Sequence, residues 1–405
     1  MLGAIYIGLS GMDAYSQGLQ TISNNVANLN TLGYKAQTIN FTDVYSTGGG
    51  GLTFADGGQS SGAGVRSGQP GKDFSQGTLQ QTNNALDLAI QGHGFFVLKS
   101  GNSTFYTRTG SFAVDKNGFI ALQGPGGGAS YRLAVLDSSN QPTTVNVNSK
   151  VTNPPGATTT VTLGNNLSST ANTASVSNVT VFDSTGGSHT WTINLTPDST
   201  TAGGVTTRTP GHWTVSVLDE GGATVGTGAI AFNAGVIDPS AAKITVNGQA
   251  ASGPPFPVVL DFSNVTSFSS GLTSTLQTAS VDGNAAGALS TVTIDSTGNL
   301  TLTYSNGKTV NMGAVALADF QDPRALQAVG QGIYKNPTGQ SSRLLASGSE
   351  GIGTIASSQL EASNVNLTQD FGSLILIQRG FQASSEVISV SNDMIQQLFG
   401  IRGHG

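Results

Sequence analysis

The sequence predicts an α+β protein that is mainly β. Two long terminal α-helices pair as a coiled coil, and two β-rich domains lie between them, the outer one an all-β insertion. Three observations lead there. Apolar residues recur every seven positions at both ends, the spacing of a helical stripe. Apolar residues alternate with polar ones in the middle, the period of a strand. The chain is rich in residues that make turns, with 56 glycines among 405 residues, about twice the usual share.

At the N-terminus Ile5, Met12, Leu19 and Val26 form one row, with Leu2 and Leu9 beside it and Tyr15, Ile22 and Leu29 as a third. At the C-terminus Leu367, Leu374, Phe381, Ile388 and Ile395 repeat the spacing, and Phe371, Ile377 and Leu398 widen the stripe. Asn364 or Asn366 could cap this second helix and Gly400 could end it. An amphipathic helix without a partner is marginal in water. The two ends should therefore pair with each other or with other copies of the chain. The competing reading is two ordinary core helices of one globular domain.

Residues 1–30 and 363–405 are thus a terminal helical domain. Residues 31–70 are a connecting segment, glycine-rich over 46–68, with Gly48, Gly49, Gly50 and Gly51 at its most flexible point and no helix or strand pattern. Residues 71–147 and 282–362 make a discontinuous β-rich middle domain. There Asn117-Gly118 separates strands around Phe112 and Phe119–Leu122, and Asn306-Gly307 follows the alternating Leu300, Leu302 and Tyr304. Residues 148–281, entered through a Pro/Thr-rich stretch, form the inserted all-β domain, with Trp191, Ile193, Leu195 and Trp213, Val215, Val217 alternating. Asp183–Gly187 and Asp295–Asn299 read as turns.

Composition excludes several functions. Charged residues are 9% of the chain, against roughly 25% usually, and the net charge is −6 without a basic run, so nucleic acid has no electrostatic footprint. There is no cysteine, which removes disulfides and thiolate chemistry. No apolar run approaches the roughly 18 residues of a membrane span, and no Lys or Arg precedes Lys35, so a cleaved signal peptide is not expected. His93, His189, His212 and His404 are scattered without metal-ligand spacing. The G-x-S-x-G match at 58–62 lies in a Gly/Ser-rich loop, and 124–129 and 351–356 match only fragments of a dinucleotide loop. No catalytic residue, cofactor or metal site is expected, and the chain is read as no enzyme.

Four segments carry a family resemblance. Residues 23–35 (SNNVANLNTLGYK), 84–98 (NALDLAIQGHGFFVL), 106–120 (YTRTGSFAVDKNGFI) and 363–382 (SNVNLTQDFGSLILIQRGFQ) resemble, in order, the shared blocks of the axial proteins of the bacterial flagellum. The matching positions include Asn24, Asn25, Ala27, Asn28, Gly33, Arg108 and Arg379. Residues 41–45, 73–87 and 315–336, together with the length, are similar to the hook members rather than the rod members. The resemblance covers roughly 1–145 and 283–402 and does not extend to the insertion.

The resemblance implies a self-assembling subunit of a flexible tube outside the cell that transmits torque as a universal joint. Its implied partners are copies of itself, the distal rod, the hook cap, the hook-filament junction proteins and the flagellar type III export apparatus. Nucleic acid and membrane insertion are not among them. The rows through Ile5, Leu9, Met12, Leu19 and Val26, and through Leu367, Leu374, Phe381, Ile388 and Ile395, are the expected polymerisation seam. The residues themselves leave choices open. Asn24, Asn25 and Asn28 could bond backbone within one chain, bond between chains, or simply end the helix. Gly33 permits a backbone conformation barred to other residues. Arg379 could pair between subunits or face solvent. The alternatives are a distal rod subunit and a secreted adhesive or carbohydrate-binding β-protein.

Overall fold

A computed structural model describes residues 2–45, 62–124, 131–202, 205–249 and 254–402. The chain forms two compact units: Met1–Ser149 with Val292–Leu302 and Val310–Gly405, and Lys150–Thr291 with Thr303–Thr309. The expected connector glycines Gly48–Gly51 lie outside the described residues.

The first unit holds both helices. Helix α1 spans Leu2–Ala27 and α2 spans Leu367–Arg402, roughly 39 and 54 Å at 1.5 Å per residue. Where α1 stops, the Asn28 amide N–H donates to the carbonyls of Asn24 and Asn25, and its side-chain Nδ2 donates to Asn24 O at 2.9 Å. Asn366 caps α2, its Oδ1 accepting from Thr368 N at 3.1 Å and Gln369 N at 3.3 Å. Asn364 is used elsewhere, and Gly400 does not end the helix, which continues through Arg402. One glycine inside a helix costs only about 1 kcal/mol, too little to stop it.

The helices run antiparallel. Gly8 lies against Ile388, Gly11 against Ser384, Tyr15 against Gly380 and Gly18 against Ile377. A Cβ on Gly8 or Gly18 would come within 2.8 Å of an isoleucine side chain, so glycine at these positions sets how closely the helices approach.

The expectation of no strand within 46–68 is corrected. Strand Gly62–Ser67 pairs antiparallel with Phe41–Tyr45, and Gln37–Thr38 pairs with Gly71–Lys72. The hairpin lies along α1: Val65 N donates to Ser10 Oγ at 3.2 Å, and the Phe41 ring sits 5.5 Å from that of Tyr15. The helix supplies the partner surface that a glycine-rich strand cannot supply for itself.

The β body of this unit is one twelve-stranded sheet. Its centre is Asp87–Gln91, Phe95–Ser100, Ser103–Thr107, Thr109–Val114 and Arg132–Leu136. Phe95, Tyr106, Phe320 and Tyr334 pack together beneath it, with the Phe95 and Phe320 rings edge to face at 5.8 Å. Asn117-Gly118 turns as expected, with Gly118 at φ +83° and its N–H on Asp115 O. Residues 351–356 run from a turn into strand Thr354–Ser357, not a helix.

The second unit is a nine-stranded sheet with its own core. Ser188–Ala202 and Val205–Leu218 pair so that Ile193 faces Val217 and Leu195 faces Val215. Trp191, Ile193, Leu195, Trp213, Val215 and Val217 are all buried, as period-two alternation requires. One pair is parallel, Thr160–Asn166 with Phe256–Thr266. Asn306-Gly307 makes its turn, with Gly307 N–H on Tyr304 O.

Candidate functional site: the helix pair and its anchorage

The buried stripe of α1 is Gly8, Gly11, Ala14, Gly18, Thr21, Ile22 and Asn25. These recur at three- and four-residue steps, one face of a helix. The heptad row Ile5, Met12, Leu19 and Val26 flanks that stripe, each residue half-buried, and Leu9 is 56% exposed. On α2, Ile377 and Ser391 are buried, while Leu367, Leu374, Phe381, Ile388 and Ile395 are half-buried beside them. Within one chain the closest approach is therefore made by small residues, and the apolar rows border it.

Much apolar surface stays uncovered. Tyr6 and Leu376 are each 72% exposed and Phe399 69%; Leu9, Phe371 and Ile375 are half or more exposed. Ala27 and Arg379 are exposed too. Isolated exposed hydrophobics are ordinary, but a row along two long helices marks an interaction surface.

Asn25 ties the end of α1 to the segment around Gln37. Its side chain donates to Gln37 O at 2.9 Å and accepts from Gln37 N at 2.8 Å and from the Tyr34 hydroxyl at 3.2 Å. Asn28 accepts from the Thr31 hydroxyl at 3.1 Å, while Asn24 is exposed. Of the three readings for these asparagines, Asn25 and Asn28 bond groups of their own chain.

Below the helices lies a buried charge cluster. Glu361 is fully buried, with Lys35 Nζ 2.7 Å from one carboxylate oxygen and Arg108 Nε 3.4 Å from the other. Gly77 N also donates to it, at 2.7 Å. Lys35 donates further to Ser75 O at 2.6 Å, and the Arg108 guanidinium donates to the carbonyls of Gly94 and Gly92. Burial pushes the Lys35 ammonium below its ordinary range, opposed by Glu361, and burial followed by Glu361 pushes the Tyr334 phenol up.

Backbone bonds converge on the same place. Gly33, at φ +67°, donates to Glu361 O at 2.7 Å, and Glu361 N donates to Thr109 Oγ1 at 3.0 Å. A Cβ at Gly33 would strike the Thr109 methyl, so this glycine serves both φ and space. Asn364 accepts from Ala36 N at 2.7 Å and donates to Asp73 O at 2.9 Å. Residues 33–37, 73–78 and 361–364 are thereby stitched together, and both helices leave from this knot. Gly33 and Arg108 stood among the sequence candidates, whereas Lys35 and Glu361 did not. Lys35 had a signal as the last residue of the resembling segment 23–35, where it follows Gly33 and Tyr34, and Glu361 had none beyond being a rare charge.

Beside the base of the helix pair is a cleft of about 560 Å³, lined by Tyr15, Ile22, Ile39, Phe41, Asp370 and Leu376 among others. Among the described residues no group of three His, Asp or Glu is placed to hold a metal ion, and no helix is long and apolar enough to cross a membrane. What the arrangement offers is apolar contact area on a rigidly anchored helix pair.

Comparison with known proteins places the chain. Residues 5–35 match the model of the flagella basal body rod protein, 89–130 the flagellar hook protein FlgE/F/G D1 domain, and 356–401 the flagellar basal body rod FlgEFG protein C-terminal model. The flagellar hook protein FlgE of Treponema pallidum is 30% identical, the alignment covering 99% of this chain and all of that protein. The flagellar hook protein FlgE of Borreliella burgdorferi is 29% identical with the same coverage. The crystal structure of Helicobacter pylori flagellar hook protein FlgE2 shares the fold, with TM-score 0.51 and 13% identity, over 70% of this chain and all of that one. With anchored terminal helices, an inserted β unit and relatives matched end to end, the chain belongs to the flagellar hook protein FlgE family.

Proposed function

We propose that this chain is the structural subunit of a bacterial flagellar hook, assembling with copies of itself into a tube outside the cell and carrying out no catalysis. The observation that carries the reading is the helix pair, held at its base by a buried charge cluster yet exposing Tyr6, Leu9, Phe371, Ile375, Leu376 and Phe399. A monomer gains nothing from such a surface, and a homopolymer buries it. The half-buried rows through Ile5, Met12, Leu19 and Val26, and through Leu374, Phe381, Ile388 and Ile395, border that surface and enter the contacts between copies.

The tube acts as a universal joint, with the unit Lys150–Thr291 on its outside. Its subunits are delivered unfolded by the flagellar type III export apparatus. The tube meets the distal rod at one end and the hook-filament junction proteins at the other, and grows beneath a hook cap. The rod reading draws on the terminal matches, which carry rod names. The end-to-end matches to hook proteins favour the hook. Electron microscopy of cells lacking the gene decides between them: basal bodies that keep the rod and lose the hook support the proposal, and loss of the distal rod replaces it with the rod reading.

A further inference from the structure

The two ends of the helix pair are unlike. The register of the pair sets Gly8 beside Ile388 and Gly18 beside Ile377. It therefore brings Leu2, the first residue of α1, to about residue 393 of α2. The turns from Met394 to Arg402 run on past the end of α1. They carry Met394, Leu398 and Phe399, each half or more exposed, and two exposed amides, Gln396 and Gln397. This is an apolar helix end with amide donors and, among the described residues, no intrachain partner helix.

At the other end of the same pair lies the cleft of about 560 Å³. Its rim is apolar and open: Leu376 is 72% exposed and Phe41 40%. On its wall Asp370 holds one carboxylate oxygen, Oδ2, buried and unpaired among the described residues, although Asn25 approaches the same carboxyl. A buried acceptor left unpaired is destabilising, and an incoming amide would satisfy it. An apolar knob with donors at one end thus answers an apolar cleft with a free acceptor at the other. Two different complementary patches on one molecule make a heterologous contact, the kind that propagates into open helical filaments rather than closed dimers.

We propose that the overhanging end of α2, Met394–Phe399, docks in the cleft at the base of the helix pair of a second copy, a head-to-tail contact repeated from copy to copy. This rests on the self-assembly reading and adds to it which surface meets which.

The absence of cysteine makes cross-linking a clean test in the full chain. Leu376 and Leu398 sit roughly 33 Å apart along one continuous helix, far beyond the ~7 Å Cα separation a disulfide allows. A bond between them can form only between copies. Polymers of Leu376→Cys/Leu398→Cys, treated with a mild oxidant, should give a ladder of covalent oligomers on a non-reducing gel. A mixture of the two single variants should give dimers, and neither single variant should. Phe41→Cys serves as a second cleft position. Leu398→Asp should raise the critical concentration for polymerisation at least tenfold. Dimers from Leu398→Cys alone would show like-with-like contact and overturn the proposal. Polymers that form normally yet cross-link at neither Leu376 nor Phe41 would overturn it while leaving self-assembly standing. Failure of the unmodified chain to polymerise at all would remove both.

Discussion

Glu361 lies where the two ends of the chain converge, and its surroundings set the largest single-residue effect expected here. Lys35 and Arg108 are both buried against it. Glu361→Gln leaves two interior cations without an anion, a loss of about 3–5 kcal/mol. For a unit of this size that corresponds to a melting shift on the order of 10 °C. Both tryptophans, Trp191 and Trp213, lie in the other unit, so the two units can be followed separately. Circular dichroism of the helices should show the shift while the tryptophan-fluorescence midpoint stays in place; a shift in both would mean the units unfold together. Asp370 makes the pH-dependent case. Burial pushes its carboxyl above the ordinary range, partly offset by Asn25. Between the ordinary carboxyl pKa and the raised one, the folded chain holds a proton that the unfolded chain has released, so this group's stabilisation is complete below the ordinary carboxyl range and is lost as pH rises through the raised value. Asp370→Asn does not titrate, and its melting temperature relative to the parent should be higher at pH 7 than at pH 4. A constant difference across that range would show that the carboxyl is not perturbed. At this scale the sequence was partly readable. Gly33 and Arg108 stood out within the segments resembling the axial family, but Glu361 meets Lys35 across 326 positions of chain, and no local pattern announces such a pairing.

The helices show a similar division one level up. Their existence was readable, because a seven-residue apolar period sustained over two or three dozen residues fits a helix and no strand. The face on which they pair was not. Sequence reasoning weights bulk and hydrophobicity, so it chose Ile5, Met12, Leu19 and Val26, whereas Gly8, Gly11 and Gly18 make the closest approach, with Ala14 buried on the same face. Glycines read as breakers in isolation, and only the partner helix reveals them as clearance. The same bias hid strand Gly62–Ser67, whose partners are Phe41–Tyr45 and α1. The strands through Trp191 and Trp213 were legible because their alternation is carried by large side chains within one short run. A direct test of the glycine contact is Gly380→Leu, which drives a side chain into the Tyr15 ring. Gly372→Leu is the control, since a Cβ there meets nothing within 4 Å. The first should lower the helical signal of the pair and cut polymer yield at least tenfold, as overpacking of about 1–3 kcal/mol implies for a marginal pair. The second should leave both unchanged or gain about 1 kcal/mol of helix stability. Equal behaviour of the two variants would mean that the helices do not pair through this face.

At the scale of the whole molecule, the unit Lys150–Thr291 with Thr303–Thr309 has a core of its own around Trp191, Trp213, Phe256 and Phe262. A fragment spanning 150–309 should fold alone and melt within about 3 °C of the tryptophan transition of the full chain; a broad, uncooperative transition would make the insertion dependent on the other unit. On the proposed reading assembly draws instead on the helices, and their chemistry sets its response to salt. Asp13 is the only charged residue of α1, and α2 carries Asp370, Arg379, Glu386, Asp393 and Arg402. Contacts between copies made by such surfaces are apolar and amide contacts, with few ion pairs to screen. Exposed ion pairs contribute only about 0–1 kcal/mol each, and less as the screening length shrinks with salt. Raising sodium chloride from 0.05 to 0.5 M should therefore change the critical concentration by less than about twofold. Sulfate strengthens the burial of apolar surface by being excluded from it, and at equal ionic strength should lower the critical concentration about threefold or more. Sedimentation of polymers across both salt series measures the two effects together. A steep rise in critical concentration with sodium chloride would place Asp370, Glu386 or Asp393 in ionic contact with the neighbouring copy, and the apolar character of the helix faces would no longer account for growth of the tube.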